Sequence, residues 1–290
     1  MRIATLLTVA LGLSSLCCTM NNATHGAASA NSGSDAAPPV GSEPLRVMTF
    51  NIHHGAGTDG KIDLERVAKV ITSANPDVVA VQEVHNKTTR VNGVDQAAEL
   101  GRLTGMNVHF APAFDWMGGQ YGQAILSKSP IASVNAVQLP KLKDEQRIAL
   151  ISEIDQPGGP LRFVATHLTH NNADERIGQT TALLDTLAQL KPMPTILAGD
   201  MNATPGSKPI VQFLEAFDDT TGDDALTSPS TQPVRKIDWI LLGKGHPWKV
   251  IEKRVSDDAL ASDHRAVVVE LVRKGKEDTD HRGTEKQRKK

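Results

Sequence analysis

Short, almost continuously apolar runs are the feature that most constrains how this chain can fold. After Asp77, residues 78–84 are apolar except for Gln82 and Glu83, and the run at residues 195–198, apolar after Thr195, is closely followed by Asp200. Runs of about four to eight apolar residues without period-two alternation are typical of strands buried on both faces. A charged residue at the end of a buried strand is unusual, so a functional site is expected at these ends.

Strands outnumber helices in the predicted element order. Helices are predicted where apolar residues recur at helical spacing, at residues 63–73, 95–105, 173–190 and 207–217. Strands are predicted at residues 45–52, 77–84, 107–111, 122–127, 132–138, 147–154, 161–166, 195–200, 236–242, 249–256 and 264–272. Some consecutive strands are joined by Gly/Pro turns, and others are joined by helices. This order predicts an α/β fold of two mixed sheets packed face to face, with helices on the outer faces.

The two ends of the chain differ from its body. Residues 1–30 are predicted to be an export signal, because one basic residue precedes an apolar stretch too short to span a bilayer. Residues 31–44 are predicted to be a flexible linker and residues 45–273 the folded domain. Residues 274–290 alternate in charge and are predicted to be a disordered tail, for which tethering to a membrane or nucleic acid stays open beside simple solvation.

The cysteines bear on the compartment of the protein. Cys17 and Cys18 are the only two, and both lie in the leader, so the mature domain has no disulfide. We predict export to the periplasm or the extracellular medium, with no transmembrane span in the mature protein. A lipoprotein acylated at one of these cysteines is the alternative, although Leu16 is bulky for the position before an acylated cysteine.

The folded body is acidic and poor in aromatic residues. The net charge of the chain is −2 although its tail is basic, and aromatic residues make up 3%. Affinity for nucleic acid comes mainly from neutralising phosphates. The composition therefore argues against a general nucleic-acid clamp, but it is compatible with a phosphate ester held through a metal ion.

Polar residues recur where the apolar runs end. Asp200 and Asn202 lie two apart, which on an extended segment directs both side chains to one face, and Gly199 allows a close backbone approach. Because this segment continues into Pro205, its residues are also typical of a simple turn without a functional role. Burying several carboxylates together is costly unless a cation compensates them, which favours a site for the whole set. The set is Asn51, Glu83, His167, His170, Asp200, Asn202, Asp238, Asp263 and His264.

Six short motifs, in this order, resemble the endonuclease/exonuclease/phosphatase superfamily. They are Thr49-Phe50-Asn51, Gln82-Glu83-Val84, Thr166-His167-Leu168, Gly199-Asp200-Met201-Asn202, Ile237-Asp238-Trp239 and Ser262-Asp263-His264. The resemblance covers about residues 45–272, which is the whole folded part. It implies a four-layer α/β sandwich and a metal-dependent hydrolase that cleaves a phosphoester by in-line attack of an activated water.

The resemblance also implies a metal site. Glu83 would be the principal ligand of Mg²⁺, helped by Asn51 and Asp263, and Mn²⁺ is the other candidate ion. Oxygen ligands suit a hard ion that keeps some of its waters and leans on the substrate phosphate. His53 departs from the pattern, since some members of the superfamily carry a second acid there.

The remaining matched residues receive catalytic roles from the resemblance. Asp200 would orient and deprotonate the attacking water, and Asn202 would hold that water or a phosphate oxygen. His264, bonded to Asp238, would contact the phosphate, while His167 would donate to a phosphoryl oxygen. These groups would neutralise the charge that develops on the phosphoryl oxygens.

Substrate contacts are predicted for three further residues. His170 would donate to the phosphoryl group, Gln123 stands where relatives often carry Asn, and Arg176 lies next to the proposed mouth. Arg90 and Gln96 lie near the same mouth, and for these two residues and Arg176 surface solvation competes with a contact to substrate.

The substrate is expected to be a phosphodiester, and a small or lipid-linked one is favoured over a polymer. Residues 114–119 are a short candidate for the exposed apolar hairpin that would help a lipid phosphodiesterase, or they are a loop folded over the site. A secreted nuclease acting on DNA or RNA is an alternative, and so is a non-catalytic binding module that keeps the fold. We expect a monomer.

Overall fold

Two six-stranded mixed sheets form the centre of the fold. The computed structural model describes residues 43–156 and 159–275, so the predicted export signal and nearly all of the predicted linker and tail lie outside the described residues. The first sheet has the order β11 (Trp248–Val255), β12 (Val267–Arg273), β1 (Leu45–Asn51), β2 (Val78–Asn86), β4 (Gly119–Ser127), β3 (Asn107–Trp116). The second has the order β5 (Ile131–Gln138), β6 (Ile148–Ile154), β7 (Leu161–His167), β8 (Thr195–Asp200), β10 (Asp238–Gly243), β9 (Phe217–Asp219).

The two sheets repeat one pattern of strand directions. Each contains a single parallel pair at its centre, β1 with β2 and β7 with β8, and the other neighbours are antiparallel. A parallel pair needs a crossover connection. Helix α1 (Leu64–Ala74) crosses between β1 and β2, and helix α3 (Ala173–Ala188) crosses between β7 and β8. Both parallel pairs are therefore strand–helix–strand units.

The helices complete four layers. Buried residues of both sheets, such as Val78, Phe163 and Ile240, form one core between the sheets. The opposite face of the first sheet packs against α1 and α2 (Gln96–Thr104), and that of the second packs against α3 and α4 (Lys208–Ala216). The predicted four-layer α/β sandwich is confirmed. Within the described residues, no helix has both the length and the apolar character needed to cross a membrane.

Local signals in the sequence set the helix ends. Asp63 and Asp95 precede α1 and α2, and their carboxylates accept the backbone N–H groups of Arg66 and Ala98 at 2.9 and 3.0 Å. These are N-caps, and each acid stands directly before the apolar stripe of its helix. Helix α3 ends two residues earlier than predicted, at Ala188.

The β3–β4 hairpin is longer than predicted, and β9 is an additional strand. β3 and β4 pair as far as Trp116 and Gly119, so the segment 114–119 is the end of a hairpin and not a separate loop. The turn at Met117 and Gly118 has φ angles of +47° and +78°, as the two-residue turns of twisted hairpins require. β9 was not predicted, because three residues are too few to carry a periodic signal.

Candidate active site

The carboxyl ends of the two parallel strand pairs meet at one edge of the sandwich. Asn51, His167 and Asp200 are the last residues of β1, β7 and β8. His167 pairs in register with Asp200, and antiparallel β10 begins at Asp238 opposite the same residue. The strand directions thus bring together polar residues that lie far apart in the sequence.

Gly199 allows the close approach that this register needs. A Cβ atom at Gly199 would lie 1.9 Å from the carbonyl oxygen of Thr166. Because that contact is with backbone, a flexible side chain cannot move aside to relieve it. Glycine is therefore required where β8 brings Asp200 beside β7, as the sequence predicts.

Glu83 reaches the site through a β-bulge. β2 does not end at Val84, and its pairing with β4 changes register between Val81 and Val84. Glu83 has a φ of +60°, and a bulge of this kind re-aims a side chain. Its Oε1 accepts a hydrogen bond of 3.1 Å from Nδ2 of Asn51.

Asn51 connects Glu83 with Asp200. Its Nδ2 also donates to Oδ2 of Asp200 at 3.1 Å, and its Oδ1 accepts the backbone N–H of His53 at 3.0 Å. The side chain is buried and its carboxamide uses both ends in these bonds. Asn51 therefore couples the predicted metal carboxylate to the predicted water activator, and its own role as a metal ligand stays a prediction.

Asp200 and Asn202 do not lie on an extended segment. Asn202 has a φ of +47°, so the expectation that both side chains leave one face of a strand was wrong. Instead, the backbone N–H of Asn202 donates to Oδ1 of Asp200 at 2.8 Å, and its Nδ2 donates to the carbonyl of Leu168 at 3.0 Å. The turn after β8 thereby fixes the Asp200 carboxylate.

His264 and Asp238 form a buried charged pair. Nδ1 of His264 lies 2.9 Å from Oδ2 of Asp238, which also accepts the hydroxyl of Thr227, and Nε2 lies 3.8 Å from Oδ2 of Asp200. Burial alone would lower the pKa of His264, but the carboxylates of Asp238 and Asp200 outweigh it and raise this pKa to about 10. His264 is therefore an imidazolium at neutral pH.

The carboxyl group of Asp200 titrates near neutral pH. Burial is the main cause, and the charge of Asp238 adds to it, while His264 and the hydrogen bonds from Asn202 and Asn51 oppose the shift. Together they raise the pKa of Asp200 to about 7. A carboxylate with a pKa close to the working pH is well suited to act as a general base.

His167 is held neutral and in one tautomer by Arg147. A guanidinium nitrogen of Arg147 lies 3.1 Å from Nδ1 of His167 and donates to it, since a guanidinium has no acceptor. The ring proton is then on Nε2, which lies 3.5 Å from Oδ2 of Asp200. Burial and the positive charges of Arg147 and His264 hold the pKa of His167 well below its usual range. His167 is thus a hydrogen-bond donor, not a cation.

These side chains line a cavity of about 280 Å³. Its described wall consists of Glu83, His85, Arg90, Trp116, Tyr121, Glu145, Arg147, His167, His170, Asp200, Asn202, Asp263 and His264. It therefore collects most of the predicted site residues, with Asn51 and Asp238 hydrogen bonded just behind the wall.

Two predicted substrate contacts lie off this wall. Nε2 of Gln123 donates to the carbonyl of Ile148 at 2.7 Å, buried between the sheets. Arg176 donates to the carbonyls of Thr169 and His170 at 3.1 and 2.9 Å. Gln123 thus bridges the two sheets and Arg176 fixes the loop that carries His170.

Several wall residues were missed by the sequence reasoning. Arg147 stands at the head of an apolar run and donates to both His167 and the hydroxyl of Tyr121, the single tyrosine of the chain. Arg147 directly precedes the apolar run of a buried strand, which was a signal that could have found it. Gln96, for which surface solvation competed with a substrate contact, is instead fully buried and connects His54 to His85.

Among the described residues, two groups of side chains offer ligand atoms close enough for one metal ion. Asp200, Asp238 and His264 form the first, and His53, His54 and Glu83 form the second, each with its ligand atoms within 4.8 Å of one another. In the first group the imidazolium of His264 already balances the carboxylates. In the second, Glu83 faces the cavity, and Asp263, half exposed, has Oδ1 3.9 Å from Nδ1 of His53. The Glu83 group therefore fits a divalent cation.

Comparisons with known proteins agree with this fold. The model of the Endonuclease/Exonuclease/phosphatase family matches residues 48–264. No curated protein gave a significant match. Among solved structures, an endonuclease/exonuclease/phosphatase from Beutenbergia cavernae DSM 12333 has 27% identity and a TM-score of 0.66, with 80% of this chain and 72% of that chain covered.

Two more distant structures share the fold alone. The mannosyl-6-phosphatase Bt3783 of Bacteroides thetaiotaomicron VPI-5482 has 17% identity and a TM-score of 0.66, covering 79% of this chain and 99% of that one. The catalytic domain of human Nocturnin with bound sulfate has 20% identity and a TM-score of 0.64, covering 80% and 95%.

Proposed function

The chain belongs to the endonuclease/exonuclease/phosphatase family, and on that premise we propose that it is a divalent-metal-dependent phosphodiesterase that uses Asp200 to activate water. One observation carries the proposal. A fully buried carboxylate lies within 3.8 Å of two histidine Nε2 atoms, and it is joined through Asn51 to a second carboxylate on the same cavity.

Each group has a part in hydrolysis that follows from its chemistry. Asp200, fixed by the N–H of Asn202, accepts a proton from the attacking water, whose oxygen forms the new bond to phosphorus as the bond to the leaving alcohol breaks. The imidazolium of His264, kept charged by Asp238, donates to a phosphoryl oxygen. His167 donates from Nε2 without adding charge. Such preoriented donors stabilise the charge that develops in the transition state.

A divalent cation would supply positive charge that offsets the charge developing on the phosphoryl group. Glu83 and Asp263 would hold it, with Asn51 adjacent to Glu83.

We favour a small or lipid-linked phosphodiester as substrate. The cavity is small, the body of the chain is acidic, and the hairpin tip beside the cavity exposes 45% of Met117.

A nuclease is the second candidate, favoured by the guanidinium of Arg90 lying 5.4 Å from the ring centre of Trp116 on the cavity wall. A cation beside an aromatic ring suits a phosphate next to a base. The apolar leader in residues 1–30 supports export, and the monomer stays a prediction.

The proposal is tested by hydrolysis of bis-(p-nitrophenyl) phosphate, sphingomyelin and plasmid DNA with Mg²⁺, with Mn²⁺ or with EDTA. We expect turnover of at least one phosphodiester that EDTA abolishes and added metal restores. Preference for sphingomyelin supports a lipid-linked substrate, and preference for plasmid DNA supports the nuclease. No metal-dependent turnover by a folded protein that still binds metal would leave the non-catalytic binding module.

A further inference from the structure

We propose that the metal site of this chain includes the imidazoles of His53 and His54 together with Glu83, and that it therefore takes a borderline transition ion such as Co²⁺ or Zn²⁺ in preference to Mg²⁺. The inference rests on the proposed function only for the position of the cation. It departs from the all-oxygen site that the sequence motifs imply.

The first argument is the geometry of the three side chains. One ligand atom from each of His53, His54 and Glu83 lies within 4.8 Å of the other two. Ligands at about 2.0–2.2 Å from a shared ion stand roughly 3–4 Å apart. Small side-chain rotations therefore suffice to bring all three onto one ion.

The second argument is the backbone that presents the two imidazoles. His53 and His54 are consecutive residues with φ of +46° and +47°, and Gly55 follows at +79°. Such a conformation is strained for a residue with a side chain, so it persists only where the surroundings fix it. Here Nε2 of Gln96 donates to the carbonyl of His54 at 2.7 Å. The left-handed turn carries both rings to the side of the bulged Glu83.

The third argument is the tautomer of His53. Its Nδ1 lies 3.3 Å from the carbonyl of Ala56, which can only accept, so Nδ1 carries the proton. Nε2 then keeps its lone pair. A ring N–H bonded to a backbone carbonyl is the usual support of a metal-binding histidine.

The chemistry of these donors selects the class of ion. Imidazole nitrogen suits Zn²⁺ and the other later first-row ions, and the affinity of such a site rises from Mn²⁺ to Cu²⁺, whereas Mg²⁺ takes oxygen ligands and releases its waters reluctantly. Two nitrogens beside one carboxylate match the former.

Pulsed EPR of the Mn²⁺-loaded full chain is the test, since it detects nitrogen-14 bound directly to the ion. The double variant His53→Asn and His54→Asn keeps a residue type that tolerates a left-handed backbone but removes both imidazoles. His109→Asn, on an exposed part of β3, is the matched control. Equilibrium dialysis of each protein against Mn²⁺ and Mg²⁺ gives the affinities.

We expect nitrogen coupling in the wild type and in His109→Asn, and its loss in the double variant. Affinity for Mn²⁺ should exceed that for Mg²⁺ in the wild type and fall about 10–100-fold in the double variant. Bound Mn²⁺ without nitrogen coupling in the wild type overturns the inference, even if the protein hydrolyses phosphodiesters, and this reading does not need the variant to fold. Nitrogen coupling without any hydrolysis would instead contradict the proposed function and leave this site standing.

Discussion

At the scale of single residues, Asp200 is defined by its neighbours. Asn51, His167 and His264 reach it from three separate places in the chain, and Asp238 lies behind His264. Each of these residues could be predicted to belong to the site, because it lies at the end of an apolar run. Arg147 could not, because only the fold brings it against His167.

The pH dependence of kcat/KM follows from this cluster. The rate should rise as pH approaches about 7, where Asp200 loses its proton, and fall near 10, where His264 loses its own. Asp238→Asn removes a charge that raises the pKa of both groups, so both limbs should move to lower pH. Steady-state kinetics across pH measures this, and an unmoved alkaline limb would contradict the pairing of Asp238 with His264.

At the scale of elements, the site depends on two local distortions of otherwise regular strands. The bulge of β2 aims Glu83, and Gly199 lets β8 approach β7. The positions of the strands could be predicted from their apolar runs. The bulge could not, because its signal is a register shift against β4, which lies more than 30 residues further along the chain.

Gly199→Ala tests the close approach of β8 to β7. Its methyl group would meet the carbonyl oxygen of Thr166, so we expect a loss of about 1–3 kcal/mol in the free energy of unfolding and a lower kcat. Gly178→Ala, in α3 with no atom within 4 Å of its added Cβ, is the control and should stabilise by up to about 1 kcal/mol. Urea denaturation compares them. Equal stabilities would show that the close contact does not matter.

At the scale of the whole molecule, the two sheets each contribute part of the site. Asn51 and Glu83 come from the first sheet, and His167, Asp200 and Asp238 come from the second. Packing two similar sheets face to face therefore creates the cavity. The layers could be predicted from the element order, and the members of the site from the motifs. The part of the cavity wall formed by Trp116 and Tyr121 could not be predicted, because it depends on how far the β3–β4 hairpin extends.

Metal binding should stabilise the whole fold. A cation that binds only the native state at a hundred times its Kd adds about 2.7 kcal/mol, or roughly 5–10 °C in Tm for a domain of this size. Mn²⁺ should therefore raise Tm in calorimetry and EDTA should reverse it. In Glu83→Gln, which loses the ligand carboxylate, the rise in Tm should be much smaller. An undiminished rise in Tm would show that the cation binds at another site.

The most direct test of the central claim is metal-dependent hydrolysis of bis-(p-nitrophenyl) phosphate in oxygen-18 water by the wild type and by Asp200→Asn. In the wild type, one oxygen-18 atom should enter the phosphate monoester and none the nitrophenol, because water attacks phosphorus. Asp200→Asn should fold normally and lower kcat by about 10²–10⁴-fold, since it lacks the base. Near-normal turnover by Asp200→Asn, or label in the nitrophenol, would contradict water activation by Asp200.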